Sequence, residues 1–550
     1  MKAKVLLTLS SVVMCTMFTA CGSSNNEPEK DETGKTIVTC WINEGNKFEG
    51  VTKDSILKQI ENKCGVNLKI SGATHNADYY TTLNPKVNTG EIPDLIFTVP
   101  SGQGNGYNNW INQDLIWNYD ELLAEKPGEY KYLEAIFNSD TYKNIQYGDN
   151  MHTLLPFFSD RSGWTIYYRA DWLINIGYYT ETNGVKKAKV PTNMDEFQDV
   201  MIKFTKNDPD GNGKDDTYAL SPGGTATWFN PLFHAFDVTT DYDLDENNEP
   251  VYQYLQPQYK NFLTWASEMY KNGCIDPQFA GNTPNTDDRN KFYNGRSGIL
   301  ITNGMSHVQW VVKGAENVNG KGCVAVGPAP VGTKNIGVEG AGGFSDWGGW
   351  WGGFSISKMA SDPHAILRFL NYINGPEGNA LFHYGVLGQH YNLDENGRVV
   401  PNIDERDGEP IDTFYSVSDE NGDKNPTGTH QIGSHFQSII KWDSEEKTFK
   451  YVADDSSIPV EYRDYFHETI DINTLRSSRL INVTCWPSAY VTKMKKVEDA
   501  AASYAIKAIS GKSNLTTDWD GLLDQVEQRS YEWSKIKVMI KEVARNCGII

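Results

Sequence analysis

Near the start of the chain, apolar and polar residues alternate in a pattern that predicts short strands separated by amphipathic helices. Residues 35–41 are rich in β-branched side chains, and residues 66–70 alternate between apolar and polar positions. Between them, residues 55–63 carry two isoleucines and a leucine at the spacing of one helical face. A helical stretch precedes Gly90, and residues 93–97 predict a further strand. This order of strand, helix and strand is typical of βαβ units and of a mostly parallel sheet.

The same alternation returns later in the chain, without a repeat of fixed period. Strands are predicted at 165–168 and 297–302, and helices at 193–206, 259–271, 365–373, 378–384, 497–509 and 519–543. Residues 392–454 are rich in Asp, Glu, Asn and Gly, which predicts loops and hairpins. Because 550 residues exceed what one hydrophobic core usually supports, we expect two α/β lobes.

The N-terminus predicts export and lipid anchoring. Lys2 and Lys4 precede a nearly all-apolar stretch, which is the pattern of a secretory signal peptide over residues 1–21. The ending Phe18-Thr19-Ala20-Cys21 resembles a bacterial lipobox, in which Cys21 would carry the lipid, although Phe18 stands where Leu is usual. The alternative is an ordinary signal peptide with a chance cysteine. Residues 22–34 are polar and small, which predicts a flexible tether.

Composition and charge limit the kinds of molecule that we expect the protein to bind. No later apolar run approaches the ~20 residues that span a bilayer, so we expect membrane contact only through the lipid. The net charge of -21 argues against nucleic acid, since phosphate contacts need clustered Lys and Arg. Cysteines beyond the N-terminal segment are scattered without metal-ligand spacing, so we expect mostly buried free thiols: Cys40, Cys64, Cys274, Cys323, Cys485 and Cys547.

One acidic loop predicts a calcium site. Residues 208–216 place oxygen-bearing side chains at the first, third, fifth and ninth positions, with Gly213 at the sixth, as in an EF-hand loop. The closing Glu of that motif is absent, because Ala219 occupies its position. The alternative is an acidic turn without metal. The predicted ligands are Asp208, Asp210, Asn212, Lys214 through its backbone carbonyl, Asp216 and Thr217.

Seven segments, in order along the chain, carry a family resemblance. They include Arg169-Ala170-Asp171-Trp172-Leu173 and the sequence Tyr-Lys-Asn-Gly-Cys-Ile-Asp-Pro at residues 270–277. The others are residues 83–97, 113–123, 191–197, 292–298 and 384–388. Together they resemble the extracellular solute-binding proteins that serve ABC sugar importers, and most closely the large lipoproteins that include alginate-binding proteins.

This resemblance implies a two-lobe α/β fold like that of periplasmic binding proteins, with a ligand cleft between the lobes and several chain crossings. Lobe one would comprise residues 35–158 and 353–475, and lobe two residues 159–352 and 476–550, with the second crossing near residues 348–353. The implied function is capture of an oligosaccharide by lobe closure, without catalysis, and its delivery to the membrane subunits of an ABC importer. The resemblance also implies a structural calcium ion and a monomer at the outer face of the membrane.

Sugar clefts combine aromatic rings, which stack on sugar faces, with planar polar groups that bind hydroxyls. In the fold that the resemblance implies, such residues lie on loops after strands and near crossings. For each candidate the alternative is core packing, which we expect for Trp172. The candidates are Trp41, Asn43, Glu44, Asp160, Arg161, Trp164, Trp228, Trp347, Trp350, Trp351 and Trp486.

Other functions stay open at the level of sequence. No metalloprotease or nucleophile-elbow motif is present, and Ile506 stands where a P-loop requires its first glycine. A polysaccharide-degrading hydrolase or lyase needs only suitably placed side chains, which sequence does not exclude. A surface lectin and a peptide-binding protein are further alternatives.

Overall fold

The structure is a computed structural model that describes most of the chain outside the N-terminal segment. The described residues are 27–42, 45, 55–73, 79–98, 110–111, 113–139, 152–154, 164–224, 229–303, 305–345, 353–393, 399–402, 417–418, 424–425, 440–443, 448–451, 475–476, 478–480, 483 and 486–550.

The described strands are short. They are β1 Thr36–Ile42, β2 Val66–Gly72, β3 Leu95–Thr98, β4 Trp164–Arg169, β5 Tyr179–Thr182, β6 Val185–Ala188, β7 Tyr218–Leu220, β8 Tyr242–Leu244, β9 Pro250–Tyr252, β10 Ser297–Asn303, β11 Val324–Gly327, β12 Phe344–Ser345, β13 Gly353–Ile356, β14 Tyr391–Leu393, β15 Val399–Pro401, β16 Val417–Ser418, β17 Lys424–Asn425, β18 Ile440–Asp443, β19 Thr448–Tyr451 and β20 Leu475–Arg476.

The described helices alternate with these strands in both halves of the chain. They are α1 Ser55–Cys64, α2 Tyr79–Asn88, α3 Tyr119–Glu125, α4 Lys131–Asn138, α5 Ala170–Asn175, α6 Met194–Lys206, α7 Asn230–Phe233, α8 Pro257–Lys271, α9 Asp287–Tyr293, α10 Met305–Asn319, α11 Pro363–Asn374, α12 Pro376–Tyr384, α13 Ser488–Ile509, α14 Thr517–Glu527 and α15 Trp533–Asn546.

Two four-stranded sheets organise the molecule. The first has the order β13-β3-β1-β2, in which β1 runs parallel to both neighbours and β13 runs antiparallel to β3. The second has the order β11-β4-β10-β7, in which β10 is parallel to β7 and antiparallel to β4. The second sheet is therefore mixed.

Each sheet has its own hydrophobic core. One core is built from residues 38–154 together with residues 354–382. The other is built from residues 166–301 together with residues 480–544, and a smaller cluster covers the opposite face of the second sheet. Two independent cores in one chain are what the predicted two-lobe α/β fold requires.

Local sequence explains where the best-defined helices begin. Asn193 precedes α6, and its side chain accepts a hydrogen bond from the backbone N–H of Glu196. Glu196 accepts in return from the backbone N–H of Thr192 at 3.1 Å, so the helix start is capped from both sides. The predicted start of this helix is thus confirmed.

The C-terminal region differs from the prediction. Residues 519–543 form two helices rather than one, because the chain turns after Glu527 and Glu532 adopts a left-handed φ of 56° before α15. No glycine or proline marks this break. Helix α13 is also longer than expected and begins at Ser488. The predicted hairpins between residues 392 and 454 are present as three antiparallel strand pairs.

The predicted free thiols are confirmed where the structure describes them. Cys40, Cys64, Cys274 and Cys323 are buried, and Cys547 is half-buried, without a disulfide among them. Burial raises the pKa of Cys64 to about 12, so its thiol stays protonated and unreactive at neutral pH.

We expect Trp172→Ala to destabilise the second core strongly. Trp172 is buried and meets Phe204 edge-on at a centroid distance of 5.4 Å, and both rings also pack over Gly298. Removing a buried indole costs about 3–5 kcal/mol, which corresponds to a fall in Tm of roughly 6–20 °C for a lobe of this size. Thermal unfolding of the two variants provides the measurement, with Trp310→Ala as the control. Trp310 is 55% exposed, so its loss should move Tm by less than about 2 °C, and equal effects would contradict the packing described here.

Candidate functional site

The chain leaves the first core after Leu154, builds most of the second core, and returns to the first core at Phe354. Leu154, the last described residue before the first link, exchanges two backbone hydrogen bonds of 2.8 Å with Phe354, which follows the second link. After the first link the chain enters the second sheet at Trp164. Strand β12, before the second link, pairs in parallel with β20, which precedes the return to the second core. The residues that flank the first two links, Leu154 and Phe354, are therefore neighbours at the edge of the first sheet.

The carboxyl end of β10 lies where the described chain enters the second sheet. Its last residue, Asn303, pairs with Trp164, the first residue of β4. Helix α10 begins at Met305, directly after this strand end. In open α/β sheets, ligands bind beyond the carboxyl ends of strands, so this edge is the place to look for a binding site.

Four polar side chains meet at this edge, and we call them the Arg289 cluster: Asn285, Arg289, Thr302 and His307. Arg289 Nη2 donates to Asn285 Oδ1 at 2.9 Å and to His307 Nδ1 at 2.7 Å. Thr302 Oγ1 donates to the same Asn285 oxygen at 3.1 Å. Asn285 has a left-handed φ of 60°, and this backbone conformation places its side chain where it makes these contacts.

Burial and a neighbouring charge determine the protonation state of the His307 imidazole. Burial lowers the pKa of His307 to about 3, and the neighbouring positive charge of Arg289 acts in the same direction. The imidazole is therefore neutral at physiological pH. A guanidinium can only donate, so Nδ1 accepts from Arg289 and Nε2 carries the proton.

The acidic residue next to Arg289 is Asp288, whose carboxyl group interacts with the guanidinium electrostatically rather than in a described salt bridge. None of the described ion pairs includes Arg289, and its buried Nε has no hydrogen-bond acceptor. The adjacent Asp288 is fully buried, and burial raises the pKa of its carboxyl group. Asp288 Oδ1 accepts the backbone N–H of Arg289 at 2.8 Å, and the charge of Arg289 acts to lower the pKa of this carboxyl group.

A second polar network holds the cluster's helix in place, and we call it the Asp276 network: Ser221, Asp276, Asn282 and Lys291. Lys291 Nζ donates to Asp276 Oδ2 and to Asn282 Oδ1, both at 2.6 Å. Ser221 Oγ donates to the same carboxylate oxygen at 2.6 Å. Burial acts to raise the pKa of Asp276, but the hydrogen bonds from Lys291, Ser221 and the Gln278 N–H outweigh it and hold the pKa below its ordinary value.

The predicted ligand-binding tryptophans fall in different environments. Trp41 is buried in the first core, and its contact with a ligand stays a prediction. Trp164 and Trp486 are half-buried against the second core, and Trp486 lies 6.2 Å from the Tyr242 ring. The remaining candidates and the lipidation residue lie outside the described residues: Cys21, Asn43, Glu44, Asp160, Arg161, Trp228, Trp347, Trp350 and Trp351.

The acidic loop has oxygen donors of the kind that Ca²⁺ prefers. Asp208 accepts from the backbone N–H groups of Asn212 and Gly213, each at 2.9 Å. Asn212 Nδ2 donates to Asp210 at 2.8 Å and to Asp216 at 3.1 Å, so these side chains converge. Within the described chain, no three acidic, histidine or cysteine side chains are arranged to hold an ion, so the loop fits by donor type rather than by completed geometry.

Two details of the loop bear on the predicted ligands. Gly213 has a φ of 80°, the left-handed conformation that the turn requires. Thr217 has a buried hydroxyl that donates to the Phe204 carbonyl at 2.6 Å, and its role as a ligand stays a prediction. Burial, with the charges of Asp208 and Asp216, raises the pKa of Asp210, which is the effect that a bound cation would reverse.

The family model for bacterial extracellular solute-binding proteins matches residues 49–380. The chain belongs to this family. Its members are binding proteins, so the alternative of a polysaccharide-degrading enzyme finds no support.

Two curated relatives come from Bacillus subtilis (strain 168). Lipoprotein LipO is 24% identical over 355 residues, which cover 62% of this chain and 64% of the relative. The polygalacturonan/rhamnogalacturonan-binding protein YtcQ is 24% identical over 350 residues, which cover 62% of this chain and 65% of the relative. The chain thus spans just under two thirds of the length of these relatives.

Solved structures share the fold at low identity. An HMO-binding solute-binding protein from Bifidobacterium longum infantis superposes with a TM-score of 0.65 and 15% identity, over 93% of this chain and 99% of that one. An EF-hand mutant of FusA from S. pneumoniae, bound to fructo-nystose, superposes with a TM-score of 0.65 and 16% identity, over 92% of this chain and 98% of that one. The alginate-binding protein AlgQ2, without calcium ion, superposes with a TM-score of 0.62 and 13% identity, over 92% of this chain and 98% of that one. These neighbours establish a two-lobe solute-binding fold.

The Arg289 cluster was not among the sequence candidates. A usable signal was present, because a buried strand ends at Asn303 and a helix follows at once. Polar residues beyond such a strand end are binding candidates in this class of fold. The contribution of Asn285 and Arg289 comes from a different element, α9 and the loop before it, and no local pattern indicates that approach.

We expect Lys291→Met to destabilise the second core, because it leaves the buried Asp276 carboxylate without its counter-ion. Breaking a buried pair costs about 3 kcal/mol, or roughly 6–12 °C in Tm. The wild-type contribution is present above the ordinary Asp pKa of 3.8 and is lost as pH falls below it. In the variant, the unpaired buried carboxyl takes up a proton more readily, so the gap in Tm should narrow from pH 7 toward pH 4.

Two controls separate this effect from general surface change. Lys512→Met removes an exposed lysine and should leave Tm nearly unchanged. Combining Lys291→Met with Asp276→Asn removes the stranded charge and should recover part of the loss. A single variant as stable as the wild type at pH 7 would contradict the role of the ion pair.

Proposed function

We propose that this protein is the lipid-anchored, extracellular substrate-binding component of an ABC importer and that it captures an oligosaccharide. The observation that carries the proposal is the family match over residues 49–380. The sugar class is supported by the relative named for binding polygalacturonan and rhamnogalacturonan and by the fold neighbour bound to fructo-nystose. The membrane subunits of the importer would be its protein partners, and we propose that the chain acts as a monomer.

The proposed mechanism is closure of two lobes around the ligand. Two separate cores in one chain are compatible with a hinge motion that moves each lobe as a unit. We propose lobe boundaries at residues 35–158 with 353–475 and at residues 159–352 with 476–550. Trp164 and Trp486, which keep part of their rings exposed, are the described candidates for stacking on sugar.

Anchoring through Cys21 is part of the same proposal. It is supported by the lipobox-like sequence and by the name of the relative LipO. In the described part of the chain, no helix has the length and apolar character needed to cross a bilayer.

A structural calcium ion in the loop at residues 208–216 completes the proposal. Asp208, Asp210, Asn212 and Asp216 would supply side-chain oxygens, and Lys214 its backbone carbonyl. An ion there would neutralise converging carboxylates and stiffen the connection between α6 and β7.

We expect an oligosaccharide panel to reveal the ligand by thermal shift on the protein from residue 35 onward. A ligand that binds only the folded state raises Tm, by about 2.7 kcal/mol of stability at a hundredfold excess over Kd. The matching sugar should shift Tm and remain intact on chromatography. Product formation, or a shift with peptides alone, would contradict the proposal.

We expect calcium to raise Tm relative to a chelator and Asp210→Asn to weaken calcium binding about tenfold or more, since a charged ligand is lost. Asp215→Asn is the matched control, because Asp215 lies in the same loop at a position that EF-hand loops do not use for coordination. Calorimetric titration of both variants with calcium measures the difference. Equal Tm values in calcium and in chelator would contradict a structural ion.

A further inference from the structure

The last part of the predicted tether is bonded to the first sheet. The backbone carbonyl of Glu29 accepts the N–H of Ile37 at 2.8 Å, and Lys30 forms an antiparallel bridge with Thr36. Both contacts are made at the amino end of β1, whose other side is paired with β2, while β3 pairs with β1 nearer its carboxyl end. The chain therefore joins the first sheet before β1 begins, and we call residues 29–37 the Asp31 turn.

The carboxylate of Asp31 holds this turn closed. Its Oδ1 accepts from the backbone N–H and the hydroxyl of Thr33, at 2.8 and 2.7 Å, and from the backbone N–H of Lys35 at 3.1 Å. Its Oδ2 accepts from Nδ2 of Asn67, on β2, at 2.8 Å. Gly34 has the left-handed φ of 82° that the tight turn requires. Asp31 thus fixes the segment both to itself and to a strand that lies 36 residues later in the sequence.

The same hydrogen bonds determine the pH range over which the turn is closed. Those from Thr33, Asn67 and Lys35 lower the pKa of Asp31 below its ordinary value, although desolvation acts to raise it. A carboxyl group with a lowered pKa stabilises the folded state above its ordinary pKa, and this contribution is lost only as pH falls below that value. We therefore expect the turn to stay closed at neutral and mildly acidic pH.

Only seven residues separate the predicted lipidation site from the Asp31 turn. They are residues 22–28, between Cys21 and Glu29. An extended chain covers at most about 3.6 Å per residue, so the eight steps from Cys21 to Glu29 span no more than about 29 Å. If the turn opened as far as Thr36, the span would grow to about 54 Å. A compact chain of 550 residues is roughly 60 Å across, so the closed turn keeps the tether well below the size of the protein.

We propose that the Asp31 turn is the attachment point through which a lipid on Cys21 holds the first lobe at the membrane, so that the amino ends of β1 and β2 face the bilayer. This rests on the proposed function, because it requires the lipid at Cys21. With a tether shorter than the protein, surfaces remote from the turn do not reach the bilayer. A short tether also keeps the binding protein at a high effective concentration near the membrane subunits of the importer.

The test measures how fast trypsin cuts the turn in the full chain bound to membranes. Trypsin cuts after Lys and Arg, and between Cys21 and β1 its sites are Lys30 and Lys35, both within the turn. We expect both bonds to resist in the wild type, because cleavage requires that the segment opens. Asp31→Ala should speed both cuts about tenfold or more, since hydrogen bonds to a charged group are lost. Mass spectrometry of the released protein identifies the bond that was cut.

Two variants control for access to the tether and for the loss of charge. Asn25→Lys places a trypsin site between Cys21 and the turn, and it should be cut there rapidly while the turn is closed. Glu32→Ala removes an exposed carboxylate of the same turn that has no described hydrogen bond or ion pair, and it should resist trypsin as the wild type does. Tm of each variant reports on folding.

Two outcomes would overturn the attachment point while leaving the lipid anchor in place. One is a wild type that is cut after Lys30 or Lys35 as fast as Asn25→Lys is cut at its new site. The other is an Asp31→Ala variant that resists trypsin as well as the wild type does.

Failure of the proposed anchoring is visible before trypsin is added. If the wild type is absent from the membrane fraction, or if Cys21→Ala remains in it, the lipid on Cys21 is overturned and the attachment point with it. Oligosaccharide binding is measured separately on the protein from residue 35 onward, so that part of the proposed function would stand.

Discussion

The contact between Lys291 and Asp276 is the constraint on which the candidate site depends. It is a buried ion pair supported by Ser221 and Asn282, and it joins the end of β7 to helix α9. Residues two apart on a helix project to different sides, so fixing Lys291 against the sheet turns Arg289 away from it. The ion pair of Lys291 therefore sets the direction in which the Arg289 side chain leaves the helix. Arg289 and Lys291 lie on the same seven-residue helix, so this helix contributes both to core packing and to the candidate site.

Local periodicity was sufficient to predict most of the fold. Strands β1, β2 and β10 and helices α6, α8 and α11 follow from burial patterns and capping residues close in sequence, because their hydrogen bonds are local or lie between neighbouring strands. The break between α14 and α15 was missed, since it depends on the left-handed Glu532 rather than on a glycine or proline. The separation into two cores was expected from length, but which segments join which core depends on contacts between distant residues.

The binding residues were harder to predict, because residue type does not reveal which way a side chain faces. Trp41 follows the rule for a stacking residue, yet it lies at the end of a strand buried between helices and is part of the core. The acidic loop stays a prediction from its pattern of oxygen donors, and the hydroxyl of Thr217 is directed to the carbonyl of Phe204. Arg289 is one of 50 basic residues, and only the fold brings it to the end of β10.

The placement of the Arg289 cluster also bears on how a two-lobe protein divides its binding energy. The cluster is held entirely by elements of the second core, so its geometry exists before any closure. Preorganised donors lower the entropic cost of binding, because few rotamers have to be ordered when the ligand arrives. A ligand would then bind first to the second lobe, and the first lobe would add its contacts when the lobes close. The first contact with the ligand and the commitment to the closed state would in that case depend on different lobes, and each could change without unfolding the other.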